Sequence, residues 1–440
     1  MAVVNFDLLR AEIAEIKQIQ PIGRVSEVGA GRIEVTGLAQ RAALGDRAII
    51  QMQTGVKLGA EVLALANGMV TLLSDGAADG VALGDRVELL GQSSISPDDS
   101  WVGRIVDPFG RPLDGRPLMR GRHERALKAS PPAATGRKRL GERLETGMTI
   151  FNTMLPLVRG QRIGLFAGSG VGKSSLLAKF ALGVTADVVV IALIGERGRE
   201  LREFVEHVLG PAGMKKTVIV AATSDQSPLV RRRCAWAAMS IAEHFRDQGQ
   251  HVLFLADSVT RFAEAHREVA LAGGEPPSLR GYPPSTSHQI MSLAERSGPG
   301  LEGQGDITAV FSVLVAGSDM EEPVADILRG ALDGHVILNR TIAERGRFPA
   351  VDLLRSVSRS LPEAATAEEN VAISAARRHL GTYEKSEMMI QAGLYTQGTD
   401  PNIDNAIRIW PHLDEFIGQS EPGNHNDSFA RLNEVLFVAK

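Results

Sequence analysis

Ile163-Gly164-Leu165-Phe166-Ala167-Gly168-Ser169-Gly170-Val171-Gly172-Lys173-Ser174-Ser175-Leu176 decides how this chain is read: an apolar strand passes through a glycine loop into Gly-Lys-Ser and then a helix. Backbone N–H groups converge on phosphate oxygens only where no Cβ intervenes, and the helix N-terminus adds a partial positive charge. Gly168, Ser169, Gly170, Val171, Gly172, Lys173, Ser174 and Ser175 therefore read as a phosphate-binding loop. Lys173 is expected to reach the β- and γ-phosphates of a nucleoside triphosphate, and Ser174 to ligate Mg2+. Ala167 stands where the first glycine of this pattern is usual, so that position must tolerate a Cβ and a negative φ.

Outward from the loop, apolar strands are expected at residues 162–167, 188–194, 217–222, 252–256 and 308–315, with helices at 173–182, 198–209 and 228–246. Ser227 as N-cap and Pro228 at the first helical position open the last of these. Buried strands separated by amphipathic helices predict a parallel sheet covered on both faces, an α/β core whose ligands sit at the C-terminal strand edge. Asp257 ends one strand at that edge and is a candidate for the magnesium shell, although an aspartate capping the next helix looks the same. Glu196 and Glu200 follow another strand. They fit a water-activating pair, or the acidic start of a helix, and the residues alone leave both open.

The rest of the chain changes character on either side. Residues 1–20 place Phe6, Leu9, Ile13 and Ile16 on one helical stripe before Pro21, an apolar face in need of a partner or of its own domain. From 22 to 95 short alternating runs are punctuated by glycines, which predicts a small antiparallel β-barrel. That stretch has no Phe, Tyr or Trp, so it lacks the stacking platform of single-strand-binding barrels, and no nucleic acid is expected as a ligand. Residues 104–143 are rich in Gly, Pro and Arg and read as a structured connection whose basic groups are solvated. After Pro362 strand signals vanish and helical patterns run to Lys440.

The 48 basic and 52 acidic residues leave a net charge of −4, which excludes bulk attraction to polyanions. A single cysteine, Cys234, excludes a disulfide framework and four-ligand Cys/His zinc sites. No run approaches ~18 apolar residues, and a cytoplasmic location is expected. The 46 glycines follow no short period, so a fibrous repeat is excluded.

Four motifs in order then carry a resemblance: Ala167–Ser174, Gly195-Glu196-Arg197-Gly198-Arg199-Glu200, Asp257-Ser258-Val259-Thr260-Arg261-Phe262-Ala263, and the run from Pro349 to Arg359. With Gly281-Tyr282-Pro283-Pro284-Ser285 and Asp400-Pro401-Asn402-Ile403-Asp404, the chain resembles the rotary ATP synthase catalytic subunits and their type III secretion relatives, most of all the flagellar protein export ATPases. Ala167 is usual in the secretion branch.

The resemblance implies a RecA-like P-loop NTPase core with an N-terminal small β-barrel and a C-terminal helical domain, divided at about 1–20, 21–95, 96–360 and 361–440. It implies ATP and Mg2+ as ligands, Glu196 polarising the attacking water, Arg197 near the γ-phosphate and Glu200 in the magnesium water shell. Phe348 matches a ring that stacks on adenine, and Arg359 matches the arginine finger offered to a neighbouring subunit; by residue type alone these are a buried loop Phe and a surface Arg.

The implied assembly is a homohexamer, with a peripheral-stalk-like regulator at residues 1–20 and a central-stalk-like protein at the C-terminal domain. Export gate, chaperones and export substrates would be further partners, with membrane association only through them. A virulence secretion ATPase or a catalytic synthase subunit is the alternative. A non-hydrolysing subunit is disfavoured by Glu196, where such subunits carry Gln. The segment 286–296 departs from the family, and His288 within it is expected to be solvated.

Overall fold

The computed structural model describes residues 20–437 apart from 30, 316–319 and 421–422, so the helix expected at residues 1–20 lies outside the described residues. Six strands close the N-terminal barrel: β1 (Ile22–Gly29), β2 (Arg32–Thr36), β3 (Arg47–Gln51), β4 (Lys57–Ala66), β5 (Met69–Ser74) and β6 (Arg86–Gly91), paired in the order β1-β2-β5-β4-β3-β6. Alternation dictates the closure. Every second residue of β5, namely Val70, Leu72 and Ser74, points inward, and Val25, Ile33, Val35, Ile50, Val62 and Val87 complete an aliphatic interior without an aromatic ring.

The core sheet contains β7 (Ile105–Val106), β8 (Arg162–Ala167), β9 (Val188–Glu196), β10 (Thr217–Thr223), β11 (His251–Asp257), β12 (Asp306–Leu314), β13 (Gly334–Leu338) and β14 (Val357–Ser358). Their order is β14-β13-β8-β12-β11-β9-β10-β7. All of these pairs are parallel except β13 with β14. One apolar cluster fills each face, with the helix Pro228–Asp247 against one and Lys173–Gly183 against the other, as strands buried on both faces require. Ser227 caps Pro228–Asp247 by accepting from the Val230 N–H at 3.4 Å. Cys234 lies within this helix, fully buried, and burial pushes its thiol well above the ordinary range. The C-terminal part is helical: Ala367–Gln391, Pro401–Gly418 and His425–Phe437. Among the described residues no helix is long and apolar enough to cross a membrane.

Two expectations need correction. The helix predicted over 198–209 is α-helical only from Gly198 to Glu203; Phe204–Leu209 widens into a π-helical turn, and Gly210 with φ +61° starts a further short helix. Helical periodicity does not distinguish one extra residue per turn, whereas packing of Phe204 and Leu209 into the core does. The basic groups of 104–143 are only partly solvated. Arg104 forks onto Asp114 at 2.6 and 2.8 Å, Arg137 donates to the Ser297 carbonyl at 3.0 Å, and Lys138 pairs with Asp306 at 2.8 Å, while Arg111 alone of these is 71 % exposed. The connection is braced to the core by its cations. The barrel is pinned in turn by Glu61 of β4, which accepts from buried Arg232 at 2.8 Å.

Candidate active site

The loop after β8 turns twice through left-handed backbone, at Gly170 (φ +78°) and Gly172 (φ +87°), before the helix Lys173–Gly183 begins. Side chains rarely adopt that conformation, so these two glycines have a conformational reason. Ala167 is the last residue of β8, fully buried and in the strand ladder, where a Cβ is tolerated. At Gly172 there is a second reason: a Cβ there would lie 3.2 Å from Cδ1 of Phe348. Phe348 is 48 % exposed, so the ring lies over the loop with much of its surface open. The segment bearing it is fixed to the C-terminal helices by an ion pair between Arg347 and Asp414 at 2.9 Å.

Asp257 ends β11 and Glu196 ends β9, both at the same sheet edge as the loop. Lys173 Nζ donates to Asp257 Oδ1 and lies 3.9 Å from Glu196 Oε1. Ser312, on the strand between β8 and β11, donates to the same Asp257 oxygen at 2.7 Å. No local motif marks Ser312; register across parallel strands brings it there. Burial pushes the Glu196 carboxyl up to about 7, and the Asp257 charge adds to this while Lys173 opposes it.

Glu200, in the first turn of the helix Gly198–Glu203, accepts from Arg197 Nη1 at 3.0 Å; the Arg197 side chain is 79 % exposed. Ser174, Ser175, Glu196, Glu200 and Asp257 border a cavity of about 250 Å³. Leu193 of β9, Leu201 of the helix Gly198–Glu203, and Phe204 and Val208 of the π turn add an apolar surface beside Glu203.

This set suits a nucleotide with a small hard cation. Hydroxyl and carboxylate oxygens are the donors Mg2+ prefers, and it is usually held by one or two protein groups together with phosphates. Among the described residues no three His, Cys or carboxylate groups form a self-sufficient metal cage, as that mode of binding requires none.

Arg359 stands apart from the other residues. It follows β14, and its N–H bonds the Asp333 carbonyl at 3.0 Å, at the N-terminal end of β13 and thus at the sheet edge opposite the glycine loop. Its guanidinium donates to the Leu332 and Arg329 carbonyls at 2.9 and 3.2 Å, around the end of the helix Pro323–Ala331. His288 is exposed in the helix Ser285–Glu295.

A phosphate loop at the C-terminal edge of a parallel sheet, with an acidic pair facing its lysine, defines a P-loop ATP-binding enzyme. A model of the ATP synthase alpha/beta family nucleotide-binding domain matches residues 147–358, and one of the type III secretion EscN ATPase C-terminal domain matches 365–434. The chain is 44% identical to the flagellum-specific ATP synthase of Caulobacter vibrioides, over 97% of this chain and 99% of that protein. It is 42% identical to the one of Bacillus subtilis, over 94% of each chain. Among solved structures it is similar to the assembled ATPase EscN of the enteropathogenic E. coli type III secretion system, with TM-score 0.86 and 36% identity over 94% of this chain and 100% of that one. EscN in complex with its central stalk EscO gives TM-score 0.85. The chain belongs to this ATP synthase α/β family, in its flagellar and type III secretion branch of ATP-hydrolysing export ATPases.

Proposed function

We propose that the chain energises protein export in flagellum assembly as a homohexameric ring whose catalytic sites lie between subunits. The observation that carries this reading is the polarity of the sheet. Lys173, Glu196 and Asp257 lie at one edge and Arg359 at the other, so a head-to-tail ring would bring the arginine of one chain to the phosphates of the next. Identities of 42–44% to flagellum-specific relatives over nearly the whole chain support the flagellar assignment.

In this reading Gly168–Ser175 cradles the triphosphate, and Lys173 leaves Asp257 to meet the β- and γ-phosphates. Ser174, Asp257 and, through water, Glu200 would hold Mg2+, which would supply positive charge against the charge developing on the transferred phosphoryl group. Glu196 orients the attacking water and accepts its proton, the apolar surface of Leu201, Phe204 and Val208 limits competing water, and Arg197 supplies positive charge near the γ-phosphate after turning inward. Phe348 stacks on the adenine. Its replacement by Ala is expected to raise KM for ATP about 2–10-fold, the equivalent of ~0.5–1.5 kcal/mol of stacking, with kcat nearly kept. An unchanged KM removes the ring from the base site.

The partners in this reading are a peripheral-stalk-like regulator at residues 1–20 and a central-stalk-like protein on the C-terminal helices, where Val371, Met388 and Leu394 are exposed. The stalk bound to EscN supports the second of these. Chaperones, export substrates and an export gate complete the set and hold the ring at the membrane. The test is in cells: with Lys173→Ala as the sole copy, hook and filament proteins should disappear from the medium at normal levels of the variant. Undiminished flagellar export rejects the assignment.

A further inference from the structure

Between the barrel and the core lies a second cavity, of about 1080 Å³, remote in sequence from every residue assigned to ATP. Arg47 and Lys57 reach it from the barrel, Arg111 and Arg120 from the connecting passage, and Arg233 from the helix Pro228–Asp247. Two acidic groups, Asp75 and Glu124, share the lining, and Asp107 beside it pairs with Arg111 at 3.3 Å. Asp75 is already spent, since its two oxygens take the fork of Arg47.

The cations are concentrated rather than spread. Three guanidinium groups crowd one ring, with Arg233, Arg111 and Arg47 at 4.7, 4.9 and 5.1 Å from the centre of Phe109. Arg233 is 7 % exposed and, among the described residues, pairs with no carboxylate. Its donors go to the Pro108 carbonyl at 3.0 Å, the Ser93 hydroxyl at 3.0 Å and the Ser94 carbonyl at 2.9 Å, which satisfy its N–H groups without cancelling its charge. Asp75, Glu61 and Asp107 act on it only from a distance, and a buried charge without a direct counter-ion is costly. Burial, with Arg47 next in effect, pushes Arg233 down to about 10, opposed by those three carboxylates.

We propose that this cavity is a second anion site, taking a small soluble di- or triphosphate. Guanidinium groups suit phosphate oxygens, and cations outnumber carboxylates in the lining. The volume is of the order that small-molecule sites have, about 300–1,000 Å³. With guanidinium groups crowding Phe109, no nucleobase stacks there, so recognition is of phosphate charge and not of a base. Because the lining comes from both barrel and core, an occupant ties the two together.

The experiment uses the full chain with its P-loop filled by ADP and excess Mg2+, titrated calorimetrically with inorganic tripolyphosphate while a fluorescent ADP reports that the P-loop stays filled. One further equivalent should bind. The K57A/R111A double variant, altered only at exposed side chains, should lose at least about tenfold in affinity, Arg111→Lys should lose less, and added salt should weaken all three. Turnover of ATP without tripolyphosphate should be unchanged in the double variant. The absence of a second binding event, or equal affinity in K57A/R111A, overturns the proposal. A parallel arm uses phosphatidylglycerol vesicles: sedimentation should not differ between wild type and K57A/R111A. A difference there without tripolyphosphate binding assigns the cavity to lipid headgroups and rejects the soluble ligand.

Discussion

Glu196→Gln is expected to bind Mg-ATP with near-normal affinity and to lose about 10²–10⁴-fold in kcat, the range that removal of a positioned general base costs. The geometry behind this is that Glu196 stands at the end of β9, 3.9 Å from the P-loop lysine and facing the small cavity beside it, so its oxygen borders the space a water would occupy. Gln keeps the shape but accepts no proton. Single-turnover hydrolysis together with equilibrium binding separates the two effects, and turnover within a few-fold of wild type would remove Glu196 from the chemistry.

The same substitution should act in the opposite direction on the stability of the nucleotide-free protein. The folded-state carboxyl titrates near 7, above its ordinary 4.5. Between those values the folded chain binds more protons than the unfolded one, so this group makes stability fall as pH rises from about 4.5 to 7 and stay lower beyond. Gln removes that loss. Thermal unfolding should show a higher Tm for Glu196→Gln at pH 8 and no gain near pH 4.5. A gain that is independent of pH would place the cause elsewhere than in the buried charge.

Arg359→Ala should cost about 10³–10⁵ in turnover, as arginine fingers do, while leaving the fold and nucleotide affinity of the isolated chain intact. The Arg359 guanidinium donates to the carbonyls of Arg329 and Leu332, at the edge of the sheet remote from its own P-loop, the placement that the proposed role on a neighbouring subunit's nucleotide requires. Two consequences separate this from a local role. Specific activity of the wild type should climb with protein concentration as rings close. Mixing inactive Arg359→Ala with inactive Lys173→Ala should restore part of the activity, because an intact P-loop then meets an intact arginine across some interfaces. Failure of the mixture to recover any turnover, with mixed rings demonstrated by cross-linking, would sink the trans assignment.

Local chemistry made much of this legible before any coordinates. Ser227-Pro228 opens a helix, alternating aliphatics make barrel strands, and the glycines before Lys173 place left-handed backbone where a phosphate must approach; each is dictated within a few residues. Glu196 and Asp257 could be placed at one sheet edge because each ends an apolar run. The π turn at Phe204–Leu209 could not be foreseen, since it follows from how that helix packs across the cavity.

The sequence by itself therefore determined the barrel, the parallel core, the phosphate loop and its acidic neighbours, because those depend on periodicity and on glycine stereochemistry. Tertiary structure alone decided that Ser312 holds Asp257, that Phe348 lies over Gly172, and that Arg359 faces away from its own site. It also decided that Arg47, Arg111 and Arg233 meet around Phe109, although 186 positions separate the first from the last. The reason is physical: register between strands and the docking of one domain on another set distances that no local pattern of residues encodes.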